Sequence, residues 1–280
     1  MLAVRYSRHV IWHNAANPEG QLTAKNFMEV GMRNLLYYRL PIIVLLIALA
    51  TTSTLSRTQE IPKLKPGADE MKTPDFKPFT VEWEWGTMRL KKTNLFGKPI
   101  YSIVNELSTP QGILLDHIGI DAKTLAMVYK HSPYLALGPD YLVAHLNGNK
   151  LIGSLTSMQT GQPTALEAEL ESPVFEETIW GLTLNALPLK EGFQARLPRF
   201  AILRSRSFTA SWVTVKVTGH EQIKGGDGKK YDCWVVNLDY EGSPLKETHW
   251  ISNQVPYEIK QVKERNGAKR TFEFKRFTLD

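Results

Sequence analysis

A chain of 280 residues with 42% hydrophobic and 22% charged side chains has an ordinary globular composition, which excludes a disordered or fibrous protein. Its net charge of +6 is no nucleic-acid signature: half the excess falls in the first fifty residues, and later lysines and arginines are interleaved with acidic residues, as on a solvated sheet face. The single cysteine, Cys233, excludes an intrachain disulfide and a cysteine-based zinc site; it reads as a small buried thiol within a strand.

Residues 40–50 read LPIIVLLIALA, with Arg33 and Arg39 before them and a polar TTSTLSR after. A basic stretch, a short apolar core and Ala48-Leu49-Ala50 are the pattern of a secretory signal peptide, expected over residues 32–50 with Thr51 first in the mature chain. The uncharged window from Leu40 to Ser56 would reach about 25 Å as a helix, short of a ~30 Å hydrocarbon core. An uncleaved signal anchor is therefore the alternative, the membrane otherwise being met only in transit. An apolar core normally lies close to the start, so translation is expected to begin at Met32 (or Met28), with 1–31 an untranslated extension. No cysteine borders the cleavage site, so no lipoprotein acylation is expected.

Residues 51–78 carry Pro62, Pro66, Pro74 and Pro78 among lysines, which bars a helix or central strand and predicts an extended, mobile leader. Order is expected from Phe79, in one domain over 79–280. Val81, Trp83 and Trp85 share one face of a first strand; strands over 99–107 and 113–118 follow. Asp121 to Thr124 forms a side-chain-stabilised turn into LAMVYKH. Asn147-Gly148-Asn149 joins strands 141–146 and 150–156 as a hairpin.

Ser172-Pro173 ahead of VFEETIWGLTLNAL offers a serine cap and an N1 proline. Phe175, Ile179, Leu182 and Ala186 recur on a helical face, although Gly181 weakens it by up to about 1 kcal/mol. Strands return at 193–197 and 200–205. Then SWVTVKVTG, KKYDCWVVNLDY, LKETHWISN, PYEIKQVKER and AKRTFEFK alternate with period two between turn residues, an antiparallel meander. The expected fold is mainly β: one large curved antiparallel sheet, a half-barrel of about eleven strands, with one helix packed against it.

The helix followed by ALPLKEGFQARLP, then VTVKVTGHEQI, GGDGKKYDCWVVNLD and ETHWISNQVPYEIKQVKERNG, with IDAKTLAMVYKH upstream, resembles an exported family of unknown function in the LolA/LolB lipoprotein-carrier superfamily. The resemblance spans about residues 80–276 and implies a half-barrel whose concave side is apolar and partly closed by helix. In the carriers that cavity holds lipoprotein acyl chains. This chain departs in its shorter helical plug, so the scaffold and a greasy pocket carry over, not lipoprotein transport.

The tryptophans at 83, 85, 180, 212, 234 and 250 fit both a packed curved sheet and a groove for an apolar ligand. If strands 230–240 and 270–276 share a face, Trp234, Val236, Phe272 and Phe274 line that groove. His117, His131, His145, His220 and His249 have no ligand spacing, so no metal and no cofactor is expected. No Gly-x-Ser-x-Gly elbow is present, and KGGDGKK precedes a strand, so it is a hairpin turn rather than a phosphate loop. The expectation is a non-enzymatic envelope protein, in the periplasm of a diderm bacterium, that binds a lipid or acyl chain. Its rivals are a solid-cored module whose edge strand recruits an envelope protein partner, and an envelope hydrolase.

Overall fold

The computed structural model describes residues 67–109, 112–134, 138–157, 160–200 and 211–280. The expected signal peptide, the expected start and the leader to residue 66 lie outside these, as does the expected strand beyond Phe200. Among the described residues no helix is long and apolar enough to cross a membrane.

Among the described residues fifteen strands form one open, curved sheet. They are β1 (Phe79–Trp83), β2 (Gly86–Leu95), β3 (Lys98–Thr109), β4 (Gly112–Asp121), β5 (Met127–Tyr134), β6 (Gly138–Asn147), β7 (Lys150–Thr156), β8 (Pro163–Glu169), β9 (Phe175–Glu176), β10 (Gln194–Phe200), β11 (Ser211–Lys224), β12 (Lys230–Tyr240), β13 (Leu245–Ser252), β14 (Glu258–Arg265) and β15 (Ala268–Leu279). The order runs β8 down to β1, crosses to β15, and runs down to β9. Two sequential meanders therefore meet at one seam, where Phe79 to Glu82 pair with Leu279 to Arg276. Every pairing is antiparallel except the short β9–β10 pair.

The expected meander is present, and the strand count rises from eleven to fifteen. Strand β2 hides because only Met88 and Leu90 of its ten residues are buried, so most of it reads as polar loop. Edge strand β8 buries Leu166 alone. The turn at Asp121 forms as expected: its Oδ1 accepts from the amides of Lys123 and Thr124 at 2.9 and 2.8 Å.

The helix differs more. Only Trp180–Asn185 is α-helical (α1); Phe175 and Glu176 form β9 beside Arg199 and Phe200, and Glu177–Ile179 is a 3-10 turn. The cap is Glu176, whose carboxylate accepts from the Thr178 amide at 2.6 Å, and not Ser172. The apolar spacing was real, since Phe175, Ile179, Leu182 and Ala186 are all buried, but three short elements supply it in place of one helix. Gly181 is required by packing: a Cβ there would sit 2.6 Å from that of Glu258 on β14, so the helix could not seat against the sheet.

Of the expected leader, Gly67–Glu70 is a 3-10 turn, and residues 71–78 have no regular secondary structure but are anchored on the sheet. Buried Phe76 packs its ring on Tyr101 and Tyr257 at 5.3 and 5.0 Å, and its amide donates to the Tyr101 hydroxyl at 3.0 Å. The main core gathers β1–β4, α1 and β10–β15, with Phe79, Val81, Leu90, Ile103, Ile118 and Leu238 fully buried. A second cluster of Met127, Leu142, Leu151, Leu166, Val174 and Phe200 stabilises the β5–β8 end.

Candidate functional site

The segment 176–180 hangs from both meanders by polar contacts. Glu176 is buried and lies 2.8 Å from Lys130 Nζ on β5, while Asp116 Oδ2 on β4 lies 3.2 Å from the same ammonium. Ser132 Oγ donates to the other Asp116 oxygen. Burial works against the Lys130 charge, but Glu176 and Asp116 outweigh it and hold its pKa above the ordinary lysine value. One residue on, Glu177 faces the other meander and pairs with Arg199 on β10 at 2.5 Å. Burial and the neighbouring Glu176 carboxylate push the Glu177 pKa up. Trp180 Nε1 then donates to the Tyr240 hydroxyl on β12 at 2.9 Å.

That hydroxyl opens a second buried network. It donates to Glu247 Oε2 at 2.8 Å, which also accepts from Gln261 Nε2 at 3.2 Å. His249, with no exposed surface, donates from Nε2 to Glu247 at 3.1 Å and from Nδ1 to Glu258 at 2.5 Å. Lys263 Nζ stands 3.0 Å from Glu247 Oε1. Burial works to raise the Glu247 carboxyl, yet His249, Lys263 and Tyr240 bring it down to about 2. Burial works equally to lower the imidazole, and Glu258 with Glu247 raises it to about 9. His249 is thus an imidazolium with both N–H groups committed.

Above this network lies a cavity of about 290 Å³, bounded by β1 and β2, by the 177–182 segment, and by β14 and β15. Its deep wall is apolar: Trp83, Met88, Ile179, Trp180, Leu182 and Pro256 are buried. Trp83 and Trp85 stack with ring centroids 5.9 Å apart. Its mouth is polar, with Glu177, Lys263 and Arg270 partly or fully exposed. The Trp83 indole N–H is buried without a hydrogen-bond partner. Among the described residues, no three His, Cys, Asp or Glu side chains are grouped to hold a metal ion.

Of the four residues expected to line a groove, Phe272 lines this cavity. Val236 and Phe274 are buried in the core, and half-buried Trp234 packs on the His220 ring at 4.4 Å. Register does bring Val236 and Phe272 into one row, since Val236 pairs with His249, His249 with Gln261, and Gln261 with Phe272. That row reaches the cavity only at Gln261 and Phe272. The lining residues Trp83, Trp85 and Trp180 carried a signal in the tryptophan load. Glu247 and His249 carried one too: they share the buried parity of β13 with Ile251, a polar pair where an apolar one belongs.

The model of a family described as "Protein of unknown function (DUF3108)" matches residues 78–275. The chain belongs to the DUF3108 family. The match runs from the start of β1 almost to the end of β15, so it takes in both meanders and every residue lining the cavity. No curated protein matches the chain. Among solved structures it is similar to the hypothetical lipoprotein YmcC from Escherichia coli (K12), at 10% identity over 75% of this chain and 88% of that one, with a TM-score of 0.26.

Proposed function

We propose that this DUF3108 protein is an exported, non-catalytic binding protein of the cell envelope that holds an apolar ligand chain in the tryptophan-lined cavity. The observation that carries the reading is the division of that cavity into an apolar floor and a charged mouth. Small-molecule sites are typically concave and apolar with a few placed polar groups, at roughly 300–1,000 Å³. About 290 Å³ falls at the low end, which favours one chain over the several acyl chains of a lipoprotein. Export rests on the signal-peptide pattern of residues 32–50, and kinship with the LolA/LolB carriers on the sequence resemblance.

The ionisable groups support binding over catalysis. His249 donates from both nitrogens, so neither is free to take a proton, and a general base must have that lone pair. Lys130, held charged by two carboxylates, likewise cannot deprotonate Ser132. Native mass spectrometry of the full chain purified without detergent tests the proposal. A mass excess of several hundred daltons, lost on organic extraction, is expected; an apo mass that shifts with neither dodecanol nor dodecanoate overturns it.

A further inference from the structure

Four charged side chains line the cavity: Glu177, Glu258, Lys263 and Arg270. Three are already committed. Glu177 pairs with Arg199, Glu258 with His249, and Lys263 with Glu247. Arg270 has no ion-pair partner among the described residues; its guanidinium lies over the Phe272 ring, 5.5 Å from the centroid. Phe272 is itself part of the lining. The uncommitted charge at the mouth is therefore positive, and it sits on the aromatic residue where the apolar floor begins. Directly across the β14–β15 ladder stands Lys263, a second cation beside the first.

A planar guanidinium offers paired N–H donors that match a carboxylate or phosphate, and stacking on an aromatic ring fixes its plane. Resting on the apolar-ligand reading above, we infer that the ligand is a single-chain anionic amphiphile. Its carboxylate or phosphate head is held by Arg270, and its chain lies on Phe272, Trp85, Trp83 and Met88. A neutral chain leaves Arg270 solvated and gains nothing from it. A cationic one meets the uncommitted Arg270 charge at the mouth. The volume admits one chain, which separates this ligand from diacyl lipids.

The test uses the full chain and three probes of equal length, dodecanoate, dodecyl phosphate and dodecanol, each below its micelle-forming concentration, with affinity read from quenching of tryptophan fluorescence. Both anions should bind at least tenfold more tightly than dodecanol, and R270Q, an exposed position, should bring that ratio close to one. Added salt should weaken the anions alone. Tighter binding of the phosphate or of the carboxylate identifies the head group and supports the inference either way. Equal binding of all three probes, unaltered by R270Q, overturns the anionic head while the apolar cavity stands. Binding of none of them overturns both readings.

Discussion

Glu176 and Glu177 are adjacent in the chain but serve opposite halves of the sheet: Glu176 meets Lys130 on β5 at 2.8 Å and Glu177 meets Arg199 on β10 at 2.5 Å. The turn they form is tied to each meander by a side chain the other does not use. Its position over the cavity is set by electrostatics as well as by packing, since Thr178 also accepts from Asn105 on β3 at 3.2 Å.

Removing Lys130 tests the first tie. Lys130→Ala leaves Asp116 and Glu176, both nearly fully buried, without their shared cation, and breaking such an ion group by deleting one member costs about 3–5 kcal/mol. Urea unfolding should show a loss in that range. Lys130→Met, restoring the volume, should recover little, because the two carboxylates stay unpaired. A change under about 1 kcal/mol would refute the reading of this cluster.

The His249 network makes stability depend on pH. With its folded pKa raised to about 9 from an ordinary 6.5, its contribution is complete below about pH 6.5 and is lost as pH rises through 9; a shift of that size corresponds to something on the order of 3 kcal/mol. Glu247, brought down to about 2, contributes above its ordinary 4.5 and loses that contribution as pH falls toward 2. Thermal melts should therefore decline between pH 6.5 and 9.5, and His249→Gln should flatten that limb. An unchanged slope in the variant would show that the imidazole is not its source.

Cys233 should be inert in the folded protein. It is fully buried, and burial, with Asp232 and Glu221 adding to it, pushes the thiol up to about 12, so the reactive thiolate is scarce at neutral pH. Iodoacetamide at pH 8 should label it only as fast as the protein opens, and rapidly in denaturant. Fast labelling of the native protein would contradict its burial.

The tip of the β11–β12 hairpin folds against β15, where Gly226 makes the contact possible. A Cβ on Gly226 would lie 1.9 Å from the Phe274 carbonyl oxygen. Gly226→Ala should cost about 1–3 kcal/mol or more, as overpacked sites do, and speed amide exchange at the tip. Gly219→Ala is the control on the same hairpin. Its nearest contact would be an ordinary 3.9 Å from Val235, and its midpoint should hardly move.

Much of this architecture is legible in the sequence. Val213, Val215 and Val217 alternate and are buried as their period demands, and Asn147-Gly148-Asn149 turns where its composition says. What is not legible arises from register. The buried parity of β12 changes along the strand, at the level of the register shift between Val217 and Gly219: Tyr231 and Cys233 are buried at one end, Val236, Leu238 and Tyr240 at the other. No period-two count starting at Trp234 survives that change. The cavity is hidden for the same reason. Trp83 and Phe272 come from opposite ends of the domain, and only the β1–β15 pairing places them on one wall.

That pairing has a consequence in time. Trp83 and Trp85 are synthesised first, Trp180 after them, and Arg270 and Phe272 later still. Each meander can zip up from local hairpins as it appears, but the wall between them does not exist until β15 arrives. Losing β15 would remove Arg270, Phe272 and the β1–β15 pairing together, so the capacity to hold a ligand reports that the two meanders have met.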